Sequence, residues 1–208
     1  MIEELLRSRR SVRRFKPDPV PAEVVERLLD LAVTAPSASN KQPWRFVVVE
    51  RRATIDEMAA AVRAARARIE AAIPEGSREA VAAYGEYFTR FERAPVVVVP
   101  IHRPLPLLST LADGRLDDAD ASAVAQMERD SALVGTSLAL MNLLLAAHAE
   151  GLGASAMTGP LIARAEIARI LGVPPGWDIV AVVPLGYPDE VPAATERKSA
   201  AKVTRTIR

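Results

Sequence analysis

There is no cysteine anywhere in these 208 residues. That removes disulfides, iron–sulfur clusters, thiolate metal sites and a cysteine nucleophile. Histidine occurs only as His102 and His148, so a histidine-rich metal centre is excluded and no metal site is expected. Aromatic residues make up 4% of the chain, which leaves few stacking platforms for nucleic acid. Nor is there an excess of charge. Lys and Arg number 27 against 26 acidic residues, so nothing draws the whole chain toward nucleic acid or an anionic membrane. The opening MIEELLRSRR lacks the apolar core of a signal peptide, and a cytoplasmic protein is expected.

A hydrolytic triad has no good base. His102 abuts a proline-rich stretch, and His148 sits in an apolar run where a packed or interface histidine is expected. The acidic pair Asp117 and Asp118 falls in a polar stretch and reads as solvated. An enzyme so poor in nucleophiles and ligands must borrow a cofactor for its hard step.

What is present is apolar bulk. Half of the residues are hydrophobic, enough for one sizeable core, and a single domain over 1–208 is expected. The longest uncharged run, Ser131 to Ala149, is long enough to raise a membrane span. It carries Ser131, Gly135, Thr136, Ser137, Asn142 and His148, however, and directly follows Glu128-Arg129-Asp130. A helix buried all round, in the core or at a subunit interface, fits it better.

Along the chain, helices are expected at 2–9, 22–35, 54–73, 77–92, from about 120 to Glu150, and at 162–171. Buried strands are expected at Phe46–Val49, Val96–Ile101 and Asp178–Leu185, with a short one after Gly151-Leu152-Gly153. The stretch 102–120, with Pro104, Pro106 and Gly114, reads as a loop that covers a substrate. The tail beyond 187 is polar and aperiodic. This alternation predicts a layered α/β or α+β fold.

Four clusters carry chemistry. Arg7, Arg9, Arg10, Arg13, Arg14 and Lys16 surround Ser11, either as a phosphate clamp or as a solvated basic helix end. The loop Pro36-Ser37-Ala38-Ser39-Asn40-Lys41-Gln42-Pro43-Trp44 gathers hydroxyls, carboxamides and a cation. Carboxamides suit the edge of a flat heterocycle, though such a loop is also an ordinary turn. Gly151-Leu152-Gly153-Ala154-Ser155-Ala156 formally fits a dinucleotide fingerprint. It follows a helix and opens a strand, the reverse of what that fingerprint needs. Arg197-Lys198 closes the set, and alone it reads as a solvated tail.

Together, Arg9-Arg10-Ser11-Val12-Arg13-Arg14-Phe15 and the 35–44 loop resemble the nitroreductase family. Gly151-Leu152-Gly153, Thr158-Gly159-Pro160, Leu171-Gly172-Val173-Pro174 and Pro184-Leu185-Gly186-Tyr187-Pro188 follow in the family's order. The resemblance implies an α+β fold of three layers around a mainly antiparallel sheet, as an intertwined homodimer with FMN at the interface. Arg9, Arg10, Ser11 and Arg13 would hold the phosphate and pyrimidine edge. Ser37, Ser39, Asn40 and Gln42, often from the partner subunit, would line the ring and ribityl chain. Arg197 and Lys198 would close on the phosphate, and Met157, Thr158 and Gly159 would flank flavin N5. Arg13 or Lys198 would favour the reduced anion near N1. The implied activity is ping-pong reduction of small planar acceptors, nitroaromatics or quinones, by NADH or NADPH.

One departure stands out. Where many members place a second glycine, this chain has Pro160, which has no N–H to offer flavin N5. Thr158 or Gly159 must then be the donor. A hydroxyl there is similar to deiodinase-like relatives and keeps reductive dehalogenation, oxygen-dependent flavin cleavage and non-enzymatic flavin binding open.

Overall fold

The structure is a computed structural model that describes residues 2–208. Its helices are α1 (Ile2–Ser8), α2 (Ala22–Ala32), α3 (Arg52–Ala72), α4 (Glu75–Gly85), α5 (Leu108–Ala112), α6 (Asp118–Ala149), α7 (Arg164–Ile170) and α8 (Ala200–Val203). The strands are β1 (Trp44–Val49), β2 (Val96–His102), β3 (Gly153–Ala154), β4 (Asp178–Ile179) and β5 (Val183–Gly186). Three 3₁₀ turns, Ala38–Asn40, Glu86–Arg93 and Gly159–Ala163, complete the framework.

The apolar run Val96–His102 is buried along its whole length, as a strand covered on both faces must be. Alternation then sends its side chains to two cores. Val97, Val99 and Ile101 join Ile55, Met58, Val62, Phe91 and Ile167, largely from α3 and α7. Val96 and Val98 join Leu28, Leu140 and Leu143 from α2 and α6. The result is three layers, α3/α7 over the sheet over α2/α6. Each valine fully buried in this way contributes about 1.5–3 kcal/mol of transfer free energy.

Every strand pairing is antiparallel, in the order β1-β2-β5-β3, with β4 also on β2. The single strand expected over 178–185 is split, because Val182 exchanges both backbone hydrogen bonds with Met157 instead (2.9 and 3.0 Å). Pro100, which has no N–H to donate, stands opposite this break, and its carbonyl accepts from Val180 N–H.

The 102–120 stretch is not all loop. It contains α5, and Asp117 caps α6 by accepting from Asp120 N–H at 2.9 Å. That is the work of an acid expected to be merely solvated. The helix expected at 77–92 tightens into a 3₁₀ turn from Glu86, and the aperiodic tail makes one short helical turn, α8. Gly151 ends α6 at φ +75°, with Leu152 N–H on Ala147 O and Gly151 N–H on His148 O. Those bonds define a left-handed helix stop, so the glycines there terminate a helix rather than open one.

α6 is long and apolar enough to cross a membrane, but its inner face is buried against α2 and the sheet. Thr136 and Ser137 return their hydroxyls to Ala132 O and Leu133 O, which lets polar residues sit in an apolar helix. Its outer face is another matter. Met127, Leu133, Val134, Leu138 and Met141 are 37–58% exposed and form one apolar sector.

Candidate functional site

The basic segment leaves α1 and runs beside the sheet. Ser11 bridges Ala154, and Val12 N–H donates to Ala154 O at 3.1 Å. The chain's end then folds back on it. Lys16 N–H donates to Tyr187 O, Asp189 N–H to Arg14 O, and Phe15 bridges Pro188. Glu190 fastens the junction by accepting from the N–H groups of Arg13 (2.6 Å) and Arg14 (3.0 Å). Glu190 was not legible in the sequence as a site residue, since one acid in a polar tail carries no signal.

This return brings Arg197 back to the N-terminal arginines. Burial first, then the charges of Arg10 and Arg197, push the Arg9 guanidinium below its ordinary pKa. His148, at the C-terminal end of α6, faces the same group. Its pKa is lowered by burial, then by Arg9 and Arg10, and its Nε2 lies 2.8 Å from Ser8 Oγ. Cations from distant parts of the chain thus converge, and among the described residues none of the hydrogen bonds at Arg9 or Arg10 reaches a carboxylate. Glu190 lines the cleft beside Arg10 but accepts from the Arg13 and Arg14 N–H groups, and guanidiniums grouped in this way suit a phosphate. Lys198 is exposed and joins none of these contacts among the described residues.

Arg13 opens onto a polar cleft of about 430 Å³ lined also by Arg14, Arg66, Thr89, Arg90 and Glu190. The 3₁₀ turn that supplies Thr89 and Arg90 also supplies Phe88. An added Cβ on Gly159 would stand 2.3 Å from the Phe88 ring, so only glycine fits there. Tyr84 meets Phe88 edge-on at 5.1 Å. The aromatics of this region are divided by role: Phe91 is core, Phe88 braces Gly159, and Tyr84 and Tyr87 are exposed. Thr158 is exposed beside that brace, and its hydroxyl has no partner among the described residues. Pro160 is buried at the start of the 3₁₀ turn, where a missing N–H costs nothing.

The 37–43 loop lies elsewhere. Ser39, Asn40 and Gln42 take φ of 52°, 50° and 47°, which costs roughly 1–2 kcal/mol for each side chain in that region. Ser37 Oγ accepts from Gln42 N–H at 2.9 Å and braces the strained turn. The loop packs on the middle of α6, where a Cβ on Gly135 would stand 3.4 Å from Ser37 Cβ. His148 touches the basic cluster thirteen residues further along, about 20 Å at 1.5 Å per residue. Within one chain, Ser37, Ser39, Asn40 and Gln42 are therefore not beside Arg9, Arg10, Ser11 and Arg13. The second histidine, His102, ends β2 with its Nδ1 buried and unpartnered, its pKa lowered first by burial. It pairs with Trp44 at the foot of the 37–43 loop rather than with the arginine cluster.

The fold is a three-layer α+β sheet in which Arg197 returns to the N-terminal arginines. Residues 6–187 match the nitroreductase family, and this chain belongs to it. It is 34% identical over 189 residues to a 5,6-dimethylbenzimidazole synthase of Rhodobacter capsulatus, covering 90% of this chain and 84% of that protein. It is 31% identical over 196 residues to a putative NADH dehydrogenase/NAD(P)H nitroreductase of Methanothermobacter thermautotrophicus, covering 93% and 80%. In fold it is similar to a BluB-like flavoprotein of Clostridium difficile 630, with TM-score 0.85 at 22% identity over 100% and 99% of the two chains. An iodotyrosine deiodinase bound to FMN and 3-iodo-L-tyrosine gives TM-score 0.73 at 22% identity, covering 96% of each chain.

Proposed function

We propose that this chain is an FMN-dependent oxidoreductase of the cytoplasm that reduces small planar acceptors with NADH or NADPH, and works as a homodimer. The observation that carries the reading is the convergence of Arg9, Arg10 and Arg197 with no carboxylate among them. The residues fit the cofactor in kind. Arg9, Arg197, Ser11 and the neighbouring Arg10 would take the phosphate. Arg13 and the polar cleft would take the pyrimidine and ribityl part. Met157, Thr158 and Gly159 would flank N5.

The dimer follows from the division of the site. The apolar sector of α6 lies beside a groove of about 480 Å³ formed with Pro36, Ser37 and Ala38. In a dimer through this sector, each loop would lie against the partner chain. Each flavin site would then combine one chain's arginines with the other's Ser37, Ser39, Asn40 and Gln42.

FMN, when bound, supplies two-electron redox chemistry between nicotinamide and acceptor. The protein's own tasks are narrower. Its arginines would hold the phosphate, Arg13 would add positive charge near the ring's pyrimidine edge, and Thr158 would offer a hydrogen-bond donor to the flavin. The loop of the partner chain would exclude water from the ring edge.

Thr158 followed by Pro160 favours a second reading, flavin chemistry of the dehalogenating or oxygen-dependent, flavin-cleaving kind. Steady-state oxidation of NADPH and NADH with menadione and nitrofurazone tests the first reading. Turnover is expected, and a yellow protein inert with both nicotinamides and both acceptors would defeat it. Failure of the flavin absorbance to return in air after photoreduction would point to cleavage.

A further inference from the structure

FMN carries one phosphate, and the grouping of Arg9, Arg10 and Arg197 is enough to hold it. The cleft onto which Arg13 opens is a second gathering of cations, lined by five arginines and three glutamates. Across from Arg13 its wall is the 3₁₀ turn Glu86–Arg93. Such a turn has three residues per turn, so side chains three apart eclipse one another. Tyr87, Arg90 and Arg93 therefore stand in one row. The Arg90 guanidinium lies 4.0 Å from the centroid of the Tyr87 ring, as that row requires. Arg93, next in the row, is exposed and has no hydrogen bond or ion pair among the described residues. Two of the three acids are committed. Glu92 pairs with Arg63 outside the cleft, and Glu190 accepts from the Arg13 and Arg14 N–H groups. Glu86 is exposed at the opposite end of the turn from Arg93. Arg66 gives its charge to Glu70 at 3.1 Å. Arg90 and Arg93 are thus the part of this wall that keeps positive charge free.

We propose that Arg90 and Arg93 receive the 2′-phosphate of a dinucleotide, so that NADPH, not NADH, is the preferred reductant. The assignment rests on the flavin lying at Thr158 and Gly159. Phe88, between Tyr87 and Arg90 in the turn, packs against Gly159. Arg93 follows Phe88 by five residues, about 10 Å at roughly 2.0 Å per residue. A nicotinamide on the flavin leaves the adenosine end of the dinucleotide to run along this turn. A phosphate monoester brings nearly two negative charges and three acceptor oxygens, which two guanidinium forks side by side can share. NADH has only a ribose hydroxyl at that point and leaves both forks unanswered. An arginine at the 2′-phosphate is the general means by which dinucleotide sites accept the phosphorylated form. Tyr87, 46% exposed with Arg90 over its ring, adds aromatic surface for the adenine.

Calorimetric titration of the purified protein with adenosine 2′,5′-bisphosphate and with 5′-AMP tests this without turnover. The bisphosphate is expected to bind roughly 10-fold tighter or more, the loss of one hydrogen-bonded charged contact being worth about that factor. R93A and R90A are each expected to remove most of that preference, and R93K to restore part of it. In steady state the ratio of kcat/KM for NADPH to that for NADH is expected to exceed about 10 and to fall toward unity in R93A. Equal affinity for the two nucleotides, or an undiminished preference in both R90A and R93A, overturns the proposal. A parallel FMN titration separates the other source of a phosphate. If R93A weakens FMN as much as R9A does, Arg93 serves the flavin and the proposal falls. Should R90A fail to fold, the exposed Arg93 decides the matter. A protein that takes up no FMN defeats the flavin reading instead, and the nucleotide titration still reports on Arg90 and Arg93.

Discussion

The two ends of α6 are built on opposite principles. At the His148 end, three arginines from distant parts of the sequence meet, and no carboxylate is hydrogen-bonded to any of their guanidiniums among the described residues. At the Met127 end, the buried Glu128 carboxylate and Lys41 are each bonded to the 105–109 segment, and it is the apolar outer face of the helix that is exposed. The first end lacks an anion and the second lacks a surface. In the proposed dimer, a contact between two copies of α6 would join these two ends by bringing the loop of one chain to the arginines of the other.

The largest expected effect comes from breaking that contact. V134E with L138E puts two carboxylates into the exposed apolar sector. Light scattering is expected to report a monomer, and the FMN content of the purified protein is expected to fall several-fold although neither residue touches the basic cluster. A monomer that retains full FMN would show that one chain is sufficient, and the division between the two ends would lose its functional meaning.

Next comes the charged end alone. R9A removes a guanidinium from the cluster. A hydrogen bond to a charged group contributes about 1.5–3 kcal/mol, so FMN affinity is expected to fall roughly 10- to 100-fold by fluorescence titration. A dimer is still expected. R9K is expected to recover only part, because an ammonium cannot present a bidentate fork. If R9A binds FMN as well as wild type does, the anion site lies elsewhere.

A smaller effect is expected at the brace between the ends. G159A would push Phe88 aside or shift the 158–160 backbone. Overpacking of that kind costs about 1–3 kcal/mol, or roughly 2–12 °C in Tm for a chain of this length. An unchanged Tm with an altered flavin spectrum would mean that the backbone at Thr158 yields, rather than the ring.

Much of this was legible in the sequence, and the missing parts share a cause. The fully buried β2 declared itself by an unbroken apolar run, α6 by its uncharged length, and the arginine cluster by density. What failed to show were features fixed by partners remote in sequence. The 178–185 strand splits because Val182 pairs with Met157, which no local pattern encodes. Glu190 matters because the tail returns to Arg13, and Glu128 because a strap 20 residues earlier folds onto it. Asp117 was read as solvated because capping depends on where the helix begins. The site residues of the 37–43 loop were visible as a composition, but their 20 Å separation from the arginines needed the fold.

The subtlest expected effect is titration at His148. An unfolded histidine titrates near 6.5, and here burial and the charges of Arg9 and Arg10 hold the folded value below that. The unfolded chain therefore binds more protons in the window just below pH 6.5. Stability is expected to be complete above that value and to decline as pH falls toward the folded pKa. An anion in the cluster offsets the part of the shift that comes from Arg9 and Arg10 and raises the His148 pKa, so anion binding takes up a fraction of a proton. Sulfate, which does not titrate in this range, is the clean probe, with Ser8, Arg10 and Glu190 the other polar groups of the cleft around His148. Calorimetry is expected to show a few-fold tighter binding at pH 6 than at pH 8, and no such gain in H148Q. Equal pH slopes in the two proteins would remove His148 from the anion site and leave it a packing residue at the end of α6.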